Sequence, residues 1–191
     1  MTPRILAFAG SARADSLNKR LVLAASRDAR EAGAEVTLVD LNDFPMPVYH
    51  GDLEARDGIP VSARSLRTLF RDHHGFLIAS PENNASIPAL LKNSIDWISR
   101  PDGGQNGLVP FQGKVAALLS ASPGALGGLR GLMHLRAVLQ ALGVLTISEQ
   151  FALPRAHEAF DAEGRLADPK QRTSLLGVTA RLVEVTRRMA G

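Results

Sequence analysis

The chain leaves its first apolar run, Ile5 to Ala9, through the segment GSARADSLN, residues 10–18. Two hydroxyls (Ser11 and Ser16), one guanidinium (Arg13) and one amide (Asn18) fall within eight residues, and a pattern of helical spacing begins directly afterwards. The first N–H groups of a helix have no intrahelical acceptor, and the helix dipole favours negative charge there. Arg13 adds charge-assisted hydrogen bonds suited to phosphate oxygens. The chemistry such a loop offers is the capture of one phosphate monoester. The plainer reading, a solvated turn with Asp15 or Ser16 as a helix cap, uses the same residues. The better-known nucleotide loops do not fit, because no GxGxxG follows a strand and Gly113-Lys114 lacks the preceding P-loop glycine.

Two further polar segments follow apolar runs in the same way. In SPENNAS, residues 80–86, Pro81 restricts the backbone, while Glu82, Asn83, Asn84 and Ser86 offer side-chain groups and exposed amides to the edge of a flat heterocycle. SASPGALGG, residues 120–128, is small throughout, so that its backbone can approach a ring closely. Taken singly, each also suits an ordinary turn between a strand and a helix.

The elements that must position these loops are legible from periodicity. Five runs, RILAFA (4–9), EVTLVD (35–40), GFLIAS (75–80), KVAALLS (114–120) and GVLTIS (143–148), are short and lack polar alternation, as strands buried on both faces do. Helical stripes lie between them: Leu17, Leu21, Ala24, Ala25 and Ala32; Ile87, Leu90, Leu91, Ile95 and Ile98; Leu132, Leu135, Val138, Leu139 and Leu142; and Leu175, Val178, Leu182, Val185 and Met189. Strands alternating with helices predict an α/β fold, a doubly wound three-layer sandwich on a parallel sheet. Its ligands bind beyond the carboxyl ends of the strands. All three polar loops follow such ends. The Gly- and Pro-rich stretches 41–60 and 99–113 are expected to be long functional or disordered connections.

Composition sets the outer bounds. At 191 residues one domain spanning 1–191 is expected. A net charge of +3 with scattered basic residues does not form a nucleic-acid footprint, so no nucleic-acid partner is expected. The absence of cysteine excludes disulfides, iron–sulfur clusters and a thiol nucleophile. The five histidines show no HxxxH or HExxH spacing, no GxSxG elbow occurs, and no apolar run is long enough to span a membrane. A soluble, cytoplasmic protein without a metal site is expected. Trp97, with Ile98 and Phe111, suits helix packing or a subunit contact.

A mononucleotide held by side chains and loop amides is the ligand left by these exclusions, and flavin mononucleotide (FMN) is the familiar one in this architecture. The three segments together resemble the NADPH-dependent FMN reductases, a flavodoxin-like family that includes chromate, quinone and azo-dye reductases. GSARADSLN is similar to that family's GSxRxxSxN phosphate loop, PENNASIPALLKNSIDWISR to its PEYNxSIPxxLKNAIDWxSR segment, and SASPGALGG to its third flavin loop. DLNDFPMPVYHGDLE is similar to its loop after strand two. Position 83, usually Tyr in the family, is Asn in this chain.

The resemblance implies a five-stranded parallel sheet of order 2-1-3-4-5. It implies that Ser11, Arg13, Ser16, Leu17 and Asn18 hold the FMN phosphate. Pro81, Glu82, Asn83 and Asn84 would line the isoalloxazine edge, mainly through the backbone, with Ser86 supporting them. Ser120, Ser122, Pro123 and Gly124 would flank the ribityl chain and ring. NAD(P)H is the implied co-substrate and quinones, free flavin, chromate or azo compounds the implied electron acceptors, with no side chain required as a general base. A homodimer or homotetramer is implied, with helix 88–98 and loop 99–113 near the interface. Two other readings share these residues: an FMN electron carrier that takes no hydride from nicotinamide, and a non-enzymatic nucleotide-binding protein.

Overall fold

A computed structural model describes residues 1–191. Its centre is a parallel sheet of β1 (Arg4–Ala9), β2 (Glu35–Asp40), β3 (Gly75–Ala79), β4 (Val115–Ala121) and β5 (Leu145–Leu153), in the order β2-β1-β3-β4-β5. Helices α1 (Leu17–Glu31) and α6 (Pro169–Ala190) cover one face; α3 (Val61–Asp72), α4 (Ala89–Ile98) and α5 (Leu129–Ala141) cover the other. A short α2 (Gly51–Asp57) lies on the α4 side.

Period-two alternation assigns the strand residues to two cores. Ile5, Ala7, Ala9, Leu77, Ala79, Val115, Ala117 and Leu119 meet α1 and α6, while Leu6, Phe8, Phe76, Ile78, Ala116 and Leu118 meet α3, α4 and α5. Many of the residues between α1 and the sheet are alanines, including Ala24, Ala25 and Ala29 opposite Ala7, Ala9, Ala79 and Ala117. Small side chains let α1 lie close to the sheet. Its N-terminus therefore sits directly over the ends of β1 and β4.

The sheet order and parallel pairing agree with the expectation, and three of the five strands are buried on both faces as expected. The two others differ because they are edges: β2 is only partly covered and β5 alternates between buried and exposed positions. β5 also runs on to Leu153, with a bulge opposite Ala116–Leu118. The C-terminal stripe ends early, since Leu175, Val178 and Leu182 are buried but Met189 is exposed. The helix expected from Pro88 starts at Ala89, with Pro88 as its N-cap.

The connection 41–60 is more structured than its composition predicts. It contains a 3-10 turn at Leu41–Asp43 and then α2, which buries no residue and so has no apolar stripe to read. Helix α3 follows with Ala63, Leu66 and Phe70 inward, its stripe interrupted by Arg67. That arginine is 6% exposed and donates to the carbonyls of Ile98, Arg100 and Asn106 at 2.8–2.9 Å. A buried cation thus gathers the end of α4 and the start of loop 99–113. Trp97 is fully buried, and its indole N–H donates to Pro47 O at 2.7 Å. No helix is long and apolar enough to cross a membrane.

Candidate functional site

Strand order reverses between β1 and β3, where the chain crosses to β2 on one side and to β3 on the other. A crevice opens at such a point beyond the carboxyl ends of the strands. The cleft found there has a volume of about 280 Å³, and segments 10–18, 81–83 and 121–123 form its walls. Of the residues singled out from sequence, Ser11, Arg13, Ser16, Leu17, Asn18, Pro81, Glu82, Asn83, Ser122 and Pro123 meet in it, joined by Gly10 and Ala121.

The first wall is set by the exit from β1. The Gly10 N–H donates to Ala79 O at 2.9 Å, and a Cβ on Gly10 would stand 3.1 Å from the Leu91 side chain, so a side chain there would press on α4. Ser11 is nearly buried, its hydroxyl accepting the Arg13 N–H at 3.3 Å. Ser16 is the N-cap of α1, accepting the Lys19 N–H at 3.4 Å, so the cap reading of this residue is correct. The N–H groups of Leu17 and Asn18 have no acceptor in the protein. The Arg13 side chain is exposed and makes no hydrogen bond or ion pair. Lys19, the other nearby cation, is closed on Asp40 at 2.5 Å. Arg13 and the helix end are therefore the positive features left open to the cleft.

Asn18 departs from its expected use. Its Nδ2 donates to Ala121 O and its Oδ1 accepts the Ala121 N–H, each at 2.9 Å, with the residue 4% exposed. The side-chain amide is a brace between α1 and β4. Its backbone N–H is the group it offers the cleft.

The second wall is a tight turn. Asn83 and Ser86 exchange both backbone hydrogen bonds at 2.9 Å, with Asn84 and Ala85 between them at φ of 50° and 63°. Positive φ at both central positions is the signature of a type I′ turn, which Asn tolerates and Ala resists. The N–H groups of Glu82, Asn84 and Ala85 have no acceptor in the protein. Both carboxylate oxygens of Glu82 are engaged on α5, where they accept the N–H groups of Arg130 at 3.0 Å and Gly131 at 3.3 Å and the Arg130 guanidinium. The hydrogen bond from Arg130 is the main cause holding the Glu82 carboxyl below the usual carboxylate range.

Four expected residues lie outside this cleft. Asn84 and Ser86 border a neighbouring hollow with Lys92 and His134, and the Ser86 hydroxyl pairs with His134 Nδ1 at 2.9 Å. Gly124 is at the exposed tip of its loop. Ser120 is wholly buried beneath Gly128, its hydroxyl without a partner. Neither long connection, 41–60 or 99–113, contributes a lining residue. Nothing in the sequence ties Arg130, Gly131 and His134 to residues 82–86; Glu82 and Arg130 stand 48 residues apart in the chain.

Another hollow of about 280 Å³ flanks β2, lined by Ala9, Lys19, Val22, Leu23, Leu38, Val39 and Asp40. Its walls are largely apolar and its one ion pair is self-contained. The switch-point cleft alone combines an open cation, unpaired helix N–H groups and loop amides. That combination fits an anionic group joined to a flat polar ring.

Comparison with known proteins agrees with this chemistry. The family profile described as NADPH-dependent FMN reductase matches residues 3–158. An NAD(P)H-dependent FMN reductase of Pseudomonas aeruginosa is 36% identical over 170 residues, covering 88% of this chain and 87% of its own. An NADPH:quinone oxidoreductase of Arabidopsis thaliana is 33% identical over 193 residues, covering 98% and 94%. Among solved structures, the flavoenzyme NAD(P)H:(acceptor) oxidoreductase FerB of Paracoccus denitrificans superposes with a TM-score of 0.83 at 30% identity, covering 98% of this chain and 99% of that one. With its three site loops inside the matched span and the parallel sheet in the order 2-1-3-4-5, the chain belongs to the NADPH-dependent FMN reductase family.

Proposed function

We propose that the protein binds FMN in the switch-point cleft and uses it to oxidise NAD(P)H, passing the electrons to a small-molecule acceptor. Arg13, the N–H groups of Leu17 and Asn18, and the hydroxyls of Ser11 and Ser16 are assigned to the phosphate. The backbone at Pro81, Glu82, Asn83 and Asn84 is assigned to the ring edge, and Ser122 and Pro123 to the ribityl side. Ser86 supports the turn, while Ser120 and Gly124 act at most through the backbone of their loop. The bound flavin supplies the capacity to accept a hydride and give up electrons; the chain's own residues bind, orient and set the local electrostatics. N–H donors at the ring edge favour added negative charge there. No side chain is assigned a proton.

The observation that carries this reading is the unpaired Arg13 beside two unpaired helix N–H groups, facing loop amides across one cleft. The visible spectrum of the protein, mixed with FMN, desalted and treated anaerobically with NADPH, tests it. Flavin bands that survive desalting and bleach on NADPH are expected. Bands that persist would favour an electron carrier, and their absence would leave a likeness of fold alone. Benzoquinone, free flavin, chromate and an azo dye are the acceptors to compare by steady NADPH oxidation.

The same reading makes residues 1–191 one functional domain and sets it in the cytoplasm, where NAD(P)H is kept available. It also makes the protein a homodimer or homotetramer. The support is Val48, 84% exposed beside Tyr49, Ala89 and Leu90 in a hollow on α4. Light scattering tests that assignment.

A further inference from the structure

Helix α5 lacks a cap of its own, and the turn at the cleft lacks an easy backbone. The N-cap of α5 is Gly128, at φ 88°, which has no side chain to accept the helix's first N–H groups. The Glu82 carboxylate takes that place from a distant segment, accepting the N–H groups of Arg130 and Gly131, and its side chain is only 10% exposed. Negative charge is favourable at this helix end. Four residues on, Ser86 is tied to the same helix through His134.

Gly131 of α5 makes the approach possible. A Cβ there would stand 3.2 Å from Ser86 O and 3.4 Å from Glu82 Cα. Both ends of the 82–86 segment therefore rest on the first two turns of α5, while its centre holds Ala85 in the left-handed conformation that a Cβ disfavours. Strain of this kind persists where surrounding contacts over-determine it.

We propose that Glu82 is a positioning residue, with His134 as its counterpart at the other end of the segment. The carboxylate fixes the backbone of residues 82–83 from behind, so that the unpaired N–H group of Glu82 is held against the cleft in one orientation. This rests on the reading of the cleft as an FMN site.

The test uses the full-length apoprotein in wild-type, Glu82→Gln and His134→Ala forms. Hydrogen exchange of the Ser86 amide reports opening of the turn without any ligand, while FMN titration and the midpoint potential of the loaded protein report the ring edge. Both variants should exchange Ser86 N–H faster than wild type. Glu82→Gln should bind FMN about tenfold more weakly, as expected for slight misplacement of a contacting group. Its potential should become more negative, because misplaced donors support the electron-rich ring less well. If Glu82→Gln fails to fold, His134→Ala, which leaves the α5 cap intact, carries the same readouts. A variant with a lower Tm but unchanged exchange, affinity and potential would show that Glu82 is only a helix cap and overturn the proposal. If wild-type apoprotein took up no FMN, the flavin reading would fall, and the proposal with it.

Discussion

The side-chain amide of Asn18 pairs with both backbone groups of Ala121 at 2.9 Å, across 103 residues of chain. It fastens the N-terminal turn of α1 to the end of β4, and with it the first wall of the cleft to the third. Replacing it with alanine leaves a buried N–H and a buried C=O without partners. Asn18→Ala should lose about 2–4 kcal/mol of stability in urea unfolding. Asn18→Asp keeps an acceptor for the Ala121 N–H but sets a carboxylate oxygen against Ala121 O. It should lose at least as much stability and also bind FMN more weakly than Asn18→Ala, because it adds negative charge beside the phosphate position. Equal affinities in the two variants would separate Asn18 from the phosphate.

Arg13 is the converse case, a side chain with no partner in the protein. Arg13→Ala should lower FMN affinity about 10–100-fold, the range for losing charge-assisted hydrogen bonds. Apoprotein stability should stay within about 0.5 kcal/mol of wild type. Fluorescence titration with FMN, paired with urea unfolding of the apoprotein, gives both numbers.

Ala85 sits at φ 63° in the turn that forms the second wall. Glycine adopts that conformation without the Cβ penalty, although it adds freedom to the unfolded chain. Ala85→Gly should therefore stabilise the apoprotein by about 0.5–1 kcal/mol, whereas Ala85→Val should destabilise it. Urea midpoints for the two variants on either side of wild type would establish the strain.

The far end of the sheet carries a pH dependence. His74 Nδ1 accepts the Arg4 N–H at 3.1 Å where β1 begins, and burial, then Arg4, Lys114 and His73, holds the imidazole pKa below its ordinary value. The unfolded chain takes up this proton at a higher pH than the folded one. The associated stability is thus complete above the unfolded value of about 6.5 and is lost as pH falls from there through the lower folded one. His74→Asn, whose Oδ1 can accept the same N–H, should lose less Tm than wild type over that range. Parallel Tm curves would remove His74 as the source.

The family motifs and the sheet were legible from the chain because both are local signals. Leu6, Phe8, Phe76 and Ile78 face one way and Ile5, Ala7 and Leu77 the other, a period that any reader of the strands can count. The polar loops follow the strands directly, so their place at the carboxyl ends is a consequence of connectivity. Helix α2 left no such trace because it buries nothing, and α3 was obscured by Arg67 on its inward face.

Within the site, residue types alone established what chemistry was available: hydroxyls, a guanidinium and small residues around a helix start. Tertiary structure decided how each was used. Asn18 and Glu82 both carry groups that suit a ligand, yet the fold turns the amide of one toward Ala121 and the carboxylate of the other toward Arg130 and Gly131. Those partners stand 103, 48 and 49 residues away in the chain. A polar side chain beside a cleft satisfies whichever donor or acceptor the packed backbone brings within about 3 Å. That distance is set by how the helices lie on the sheet, which no local pattern encodes.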